Sequence, residues 1–189
     1  MRIISGQAGG LAIQVPKSLT RPTTDKVRQA IFSMLGDLVP DAKVLDLFAG
    51  SGAMGLEALS RGAASVLFVD EQRAACDVIR SNLAKTKLDG GTVRSGDAVR
   101  VLADLAKLRE AGFDLVFADP PYQHERNDRN WAQVLLDDAS LPTLLSAEGS
   151  FVLECAQSSA LIIPPQTWQM VRAKDYGDTR VLLLRRANA

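Results

Sequence analysis

The stretch from Asp46 to Gly55, DLFAGSGAMG, decides the fold of this chain. The apolar run Val44–Phe48 leads into it, and a helical pattern from about Ala53 to Arg61 follows it. Where a strand turns sharply into a helix, glycines let the backbone bend and let a ligand approach closely. The glycines here follow the pattern G-x-G-x-x-G, and they are Gly50, Gly52 and Gly55. The stretch therefore predicts a ligand-binding turn between a buried strand and a helix.

Outward from this turn, the chain alternates short apolar runs with helical patterns, which is typical of crossover connections in a parallel sheet. The runs are Val44–Phe48, Ser65–Val69, Thr92–Arg94, Phe113–Ala118 and Ser150–Cys155. Two further runs, Trp168–Ala173 and Thr179–Leu184, are close enough in sequence to form a terminal hairpin. The pattern predicts an α/β fold of the Rossmann-like kind, in which a mostly parallel seven-stranded sheet ends in an antiparallel hairpin.

Length and composition limit the possible classes of protein. A chain of 189 residues fits one domain, and a hydrophobic content of 47% suffices for a substantial core. The cysteines, Cys76 and Cys155, lack metal-ligand spacing and are expected to be reduced and buried. No run approaches the roughly 20 apolar residues of a membrane span, and residues 1–5 do not resemble a signal peptide. We therefore expect a cytoplasmic protein without a membrane partner or a metal site.

The first part of the chain is basic, although the formal net charge is +0. Before Asp37 a single acid, Asp25, accompanies the basic residues Arg2, Lys17, Arg21, Lys26 and Arg28. Such asymmetry indicates either an arm that contacts phosphates or a set of solvated side chains.

This basic segment also has a structural pattern of its own. The runs Arg2–Ile4 and Leu11–Ile13, joined through glycines, predict a hairpin, and Thr23 or Thr24 is expected to cap the helix that follows. We predict an N-terminal extension of residues 1–36, with the hairpin and the helix, and a main domain of residues 37–189.

An acid follows the glycine turn at the end of the next predicted strand. Asp70 stands 20 residues after Gly50, where a carboxylate can accept hydrogen bonds from ribose hydroxyls. Turn and acid fit a nicotinamide or flavin dinucleotide as well as S-adenosylmethionine. Asp46 favours the second ligand, because a carboxylate repels a pyrophosphate but attracts a sulfonium and an ammonium group.

The turn resembles motif I of class I methyltransferases, and the resemblance implies their fold and their cofactor, S-adenosylmethionine. By this likeness Asp70 is the ribose-binding acid, and Ser95-Gly96-Asp97-Ala98 is the turn whose acid contacts the adenine amino group. Asp97 is also suited to cap the next helix, and both roles can hold together. The expected cofactor-binding residues are Asp46, Phe48, Gly50, Gly52, Asp70, Asp97 and Ala98.

A second signature, Asp119-Pro120-Pro121-Tyr122, follows the predicted strand Phe113–Ala118. Two prolines fix φ and remove two backbone donors, so the turn is stiff and displays carbonyl oxygens and one carboxylate. Such a turn can accept hydrogen bonds from an exocyclic amino group of a base and direct its nitrogen lone pair toward an electrophile. Tyr122 offers a face on which an extruded base can stack. These four residues are the candidate catalytic residues of an amino-group methyltransferase.

An isolated D-P-P-Y would be a rigid loop with an aromatic anchor. Here it comes at the carboxyl end of a strand, as the glycine turn does, and ligands of parallel sheets bind at those ends. We therefore expect the two motifs to face one another across a crevice.

The chain resembles the bacterial 16S ribosomal RNA guanine-N2 methyltransferases. The likeness runs from residue 2 to about Glu154, and its parts are Arg2–Gly6, Gly9-Gly10, Arg21–Arg28, Asp46–Ala63 and the D-P-P-Y. It implies methylation of a guanine N2 in 16S ribosomal RNA, within a 30S subunit or an assembly intermediate, by a monomer. It also implies that the N-terminal hairpin touches RNA. The expected substrate-binding residues are Arg2, Arg21, Thr23, Arg28 and Tyr122.

Other interpretations stay open at the level of sequence. The same chemistry would suit an adenine-N6 DNA methyltransferase, although no target-recognition domain is recognisable. A protein that binds S-adenosylmethionine and assists ribosome assembly without turnover is a third possibility, and an oxidoreductase is a weak fourth. The single histidine, His124, lies in a polar stretch beside the signature, and either contact with RNA or a solvated loop would explain it.

Overall fold

The computed structural model describes residues 1–16, 24–122 and 129–187. The chain forms two compact units, Met1–Ala98 and Val99–Ala189. The described residues of the predicted extension, 1–36, belong to the first unit. The division of the chain into an extension of residues 1–36 and a main domain of residues 37–189 stays a prediction.

The strands form one sheet in the order β3-β2-β1-β4-β5-β7-β6, parallel except at its last members. They are β1 (Lys43–Leu47), β2 (Ser65–Asp70), β3 (Gly91–Ser95), β4 (Phe113–Ala118), β5 (Leu145–Ala156), β6 (Trp168–Tyr176) and β7 (Thr179–Arg186). The helices of the described residues are α1 (Asp25–Leu35), α2 (Ala53–Ser60), α3 (Arg73–Thr86), α4 (Ala98–Lys107), α5 (Trp131–Leu136) and α6 (Leu141–Leu144). This arrangement confirms the predicted α/β fold.

The first unit is built on the contact between α2 and the strands β1 and β2. Every residue of α2 is buried, which fits its apolar composition. Gly55 lets this helix approach the sheet closely, since a Cβ atom there would lie 2.3 Å from Cε1 of Phe68 and 2.7 Å from Cγ1 of Val66. The third glycine of the sequence pattern therefore serves helix–strand packing.

The N-terminal residues form the predicted hairpin, reduced to one bridge between Arg2 and Ala12. The Ile3 amide donates to the Leu11 carbonyl at 3.0 Å, and the Gly10 amide donates to the Ile3 carbonyl at 2.9 Å. The hairpin rests on the end of α2, where a Cβ atom on Gly6 would lie 1.8 Å from the Ser60 carbonyl oxygen. The segment is thus packed onto the first unit.

Helix α1 starts at the cap that the sequence allowed. The Thr24 hydroxyl accepts a hydrogen bond from the Val27 amide at 3.3 Å, which selects Thr24 over the alternative. The apolar stripe of Val27, Ile31 and Leu35 is buried, as the spacing predicts.

The second unit places β5 between β4 and β7. The predicted terminal hairpin is confirmed as β6 and β7, each longer than expected because the ladder runs from the Trp168–Arg186 pair to the Tyr176–Thr179 pair. The Trp168 indole donates to the Leu136 carbonyl at 2.9 Å, and its ring centroid lies 5.4 Å from that of Phe151. Trp168 is therefore a packing residue.

Both cysteines are unpaired and buried, as predicted. Burial raises the pKa of the Cys155 thiol to about 11, so it stays protonated at neutral pH and is a poor nucleophile. Across residues 1–16, 24–122 and 129–187, no helix combines the length and apolar character needed to cross a bilayer.

Candidate cofactor and base-binding site

The loop between β1 and α2 has a backbone shape that ordinary residues rarely adopt. Gly50 and Gly52 have φ values of 55° and 77°. Phe48 also has a positive φ, 56°, although it carries a side chain. Non-glycine residues in this region are uncommon and cluster at ligand sites, where surrounding contacts hold them. The loop thus supports the prediction of a ligand-binding turn.

Two buried carboxylates hold this loop in place. Asp46, 3% exposed, accepts a hydrogen bond from the Gly55 amide through Oδ2 at 2.9 Å. Asp70 accepts a hydrogen bond from the Gly50 amide through Oδ2 at 2.8 Å and another from the Gln72 amide through Oδ1 at 2.9 Å. Each carboxylate oxygen has two lone pairs, so the two bonds to Asp70 leave it acceptor capacity for a ligand. The sequence predicted both acids but not their role in shaping the loop.

The turn after β3 continues the same edge of the first unit. The Gly96 amide donates to the Asp70 carbonyl at 2.9 Å, so this turn lies against the end of β2. Asp97 directly precedes α4, at the position of a helix cap, and is half-buried. Ala98 is buried as the first residue of that helix. The first unit therefore brings together the predicted cofactor residues Asp46, Phe48, Gly50, Gly52, Asp70, Asp97 and Ala98.

The D-P-P-Y turn leaves the end of β4 in the second unit, as the sequence predicts. Pro120 is buried, Pro121 is exposed, and Asp119 and Tyr122 are half-buried. A pocket adjoins the turn; its lining residues are Pro120, Pro121, Tyr122, Asn130, Ala132, Cys155, Ala156 and Ser159. The sequence did not indicate the contribution of Cys155 and Ala156, the last residues of β5, and of Ser159 beyond them, although β5 is the strand that pairs with β4.

A contact that the sequence could not indicate fixes the aromatic ring of the signature. The Tyr122 hydroxyl lies 2.9 Å from the Thr179 hydroxyl, and either can donate. Thr179 is the first residue of β7 and is 9% exposed. The contact joins residues 57 positions apart, so Thr179 is a functional candidate that only the tertiary structure reveals.

Glu154 provides a second carboxylate near the end of the neighbouring strand. It is 3% exposed, which excludes a surface acid. It follows Leu153, the register partner of Ala118, just as Asp119 follows Ala118. Two acids therefore stand at corresponding positions of adjacent parallel strands.

The predicted RNA-contacting residues have different surroundings. The Arg2 side chain is 69% exposed, with Nε 3.8 Å from Oδ2 of Asp25. Arg28 is fully buried: its Nη2 donates to the Arg2 carbonyl and, at 2.9 Å, to Asp25 Oδ1, and its Nε lies 3.8 Å from Oε2 of Glu57. A guanidinium buried in these contacts is inaccessible to RNA. The prediction that Arg28 binds substrate directly is therefore wrong, and its role is structural.

Arg21 and Thr23, predicted to bind substrate, lie outside the described residues, and so does His124.

Comparison with known proteins gives consistent matches along the whole chain. The family model described as Conserved hypothetical protein 95 matches residues 1–185. YlbH of Bacillus subtilis (strain 168), an rRNA methyltransferase by name, is 38% identical over 188 residues, covering 98% of this chain and 99% of its own. Ribosomal RNA small subunit methyltransferase D of Escherichia coli (strain K12) is 35% identical over 187 residues, covering 98% of this chain and 90% of its own.

A solved structure agrees with these matches. Escherichia coli yhhF, a methyltransferase by name, is 35% identical, with a TM-score of 0.80, and the match covers 100% of this chain and 99% of that one.

Proposed function

This chain belongs to the Conserved hypothetical protein 95 family, and on that premise we propose that it methylates the N2 amine of a guanine in 16S ribosomal RNA. The coarser activity, methylation of ribosomal RNA with S-adenosylmethionine, follows from relatives that match nearly the whole chain. The observation that carries transfer to an exocyclic amine is the stiff D-P-P-Y turn, because it offers acceptors for such an amine. The choice of guanine N2 rests on the resemblance of the N-terminal segment and the motifs to the 16S ribosomal RNA guanine-N2 methyltransferases.

S-adenosylmethionine is the cofactor, and the residues of the first unit fit it. Asp46 and Asp70 place two carboxylates at the ends of β1 and β2. They suit the cationic and ribose parts of this cofactor, whereas a pyrophosphate would be repelled. When bound, the cofactor supplies an electrophilic methyl group.

The residues of the second unit would bind and orient the base. The Asp119 carboxylate and the Pro120 carbonyl would accept hydrogen bonds from the guanine amine and turn its lone pair out of conjugation with the ring. Tyr122 would stack on the base. As the new C–N bond forms, the bond from the methyl group to sulfur would break and S-adenosylhomocysteine would leave as a neutral thioether. The methylated nitrogen is then strongly acidic, and its proton would pass to Asp119 or to water.

The N-terminal hairpin would contact the RNA around the target nucleotide. Exposed Arg2 supports this part of the proposal, together with the predicted roles of Arg21 and Thr23. We further propose that a monomer acts on RNA within a 30S subunit or an assembly intermediate.

Incubation of the protein with tritiated S-adenosylmethionine and either naked 16S RNA or 30S particles tests this function. We expect label in RNA, and mass spectrometry of the digested RNA should identify N2-methylguanosine. Label in adenine or in duplex DNA would refute the guanine assignment, and absence of transfer by protein shown to bind the cofactor would refute catalysis.

The Tyr122–Thr179 contact gives a prediction for the same assay. We expect Thr179→Val to lower kcat about two- to tenfold, the loss of one positioning hydrogen bond of roughly 0.5–1.5 kcal/mol. Tyr122→Phe should give a similar loss, and the double variant should be no worse than either single variant, because both remove the same bond. Steady-state kinetics of the four proteins measure this coupling. Additive losses would contradict it.

A further inference from the structure

The edge strand β6 carries a row of basic and aromatic side chains that the proposed function has not used. The row consists of Arg172, Lys174 and Tyr176, at alternate positions of the strand. Among the strands that the structure describes, β6 pairs with β7 alone, so this row lies at an edge of the sheet.

The register of the hairpin shows that the row shares one face with Thr179. Tyr176 pairs with Thr179, Lys174 with Val181 and Arg172 with Leu183. Paired residues of an antiparallel ladder point to the same face. The hydroxyl of Thr179 is also the partner of Tyr122, so the row ends beside the tyrosine proposed to stack on the base.

The basic members of the row are available to an anion. Arg172 and Lys174 are exposed, and within the described part of the chain no carboxylate forms an ion pair with either. The Lys174 ammonium lies 5.4 Å from the centroid of the Tyr176 ring. By contrast, Asp175 points to the other face and is neutralised by Arg180, through contacts of 2.7 and 3.0 Å.

The spacing of the row suits an extended nucleic-acid strand. Alternate residues of a β-strand lie about 6.7 Å apart, so Tyr176, Lys174 and Arg172 lead away from Tyr122 in even steps. A row of two cations and an aromatic ring fits the charge and the bases of a polynucleotide.

We propose that Arg172 and Lys174 bind the phosphates of the RNA strand that flanks the target nucleotide. This inference rests on the proposed function and adds a second RNA-contacting element to the N-terminal hairpin. The row guides the strand along the edge of β6 so that the base reaches Tyr122.

A double variant, Arg172→Gln with Lys174→Gln, tests the row. We expect weaker binding of 16S RNA in filter-binding titrations and a higher KM for RNA, with kcat and the KM for S-adenosylmethionine unchanged. For two phosphate contacts to single-stranded RNA, the slope of log affinity against log salt should fall in magnitude by about 1.4. The ratio of the RNA affinity of the unaltered protein to that of the double variant should therefore fall about sevenfold between 50 and 200 mM salt.

Arg186→Gln is the matched control. Arg186 is exposed on the opposite face of β7, so the loss of its positive charge, one against the two removed in the double variant, should leave the salt slope unchanged. Equal slopes for the double variant and the unaltered protein, or an equal change in the control, would overturn the inference. Because binding is measured without turnover, it also distinguishes failure of the row from failure of methyl transfer.

Discussion

We expect Asp119→Ala to lose methyl transfer by about 10³-fold while it still binds S-adenosylmethionine. The carboxylate is the one charged acceptor of the D-P-P-Y turn, and it would hold the amine while positive charge develops on the nitrogen. Cofactor binding should persist, because the acids that hold the glycine loop are Asp46 and Asp70.

Single-turnover transfer and calorimetric titration with S-adenosylhomocysteine measure the two effects. Asp137→Ala is a suitable control, because Asp137 is an exposed acid of the same unit at the end of α5. Transfer within tenfold of the unaltered protein would contradict the role of Asp119.

The same variant separates an enzyme from an assembly factor. Cells that carry Asp119→Ala could lack the methylated guanine and still assemble 30S subunits normally, while cells without the protein fail to assemble them. That result would show that binding to the ribosomal RNA, and not methylation, is the function that the cell requires. We expect the variant and the absence of the protein to give the same phenotype.

The largest effect on stability is expected from Glu57→Ala, with a loss of roughly 3–5 kcal/mol in the free energy of unfolding. Glu57 is fully buried and accepts the amides of Ile4 and Ser5 at 2.6 and 3.1 Å. It also accepts a hydrogen bond from Nε of Arg61 at 2.7 Å, and its Oε2 lies 3.8 Å from Nε of the buried Arg28. Its removal would leave three partly buried donors without their acceptor and would take away one of the two carboxylates that face the buried Arg28.

Urea unfolding followed by circular dichroism measures this loss. Glu148→Ala is the matched control, since Glu148 pairs with Arg185 at 3.5 Å but is 86% exposed. An exposed pair of this kind contributes about 0–1 kcal/mol. Equal destabilisation by the two variants would refute the role of Glu57 as the anchor of the hairpin.

Glu57 contacts both the N-terminal hairpin and Arg28. This arrangement explains why the predicted contact between Arg28 and RNA was wrong. The sequence shows a basic segment, and charge counts do not distinguish an exposed cation such as Arg2 from a buried one such as Arg28. The burial of Arg28 depends on a carboxylate 29 positions further along the chain.

The sequence by itself determined the elements and the motifs of this protein. Apolar periodicity gave the strands, the glycines of the turn gave the strand–helix junction, and two prolines made the D-P-P-Y turn stiff. These properties depend on residues within a few positions of one another, so they can be derived from the sequence alone.

Only the tertiary structure decided which side chains meet. The fold brings the Tyr122 hydroxyl to the Thr179 hydroxyl, and the register of the terminal hairpin places Arg172 and Lys174 on one face. The same folding buries Arg28 against Glu57 and uses Asp46 and Asp70 to hold the glycine loop. Contacts between residues far apart in sequence depend on pairing and burial, and neither is encoded in local spacing.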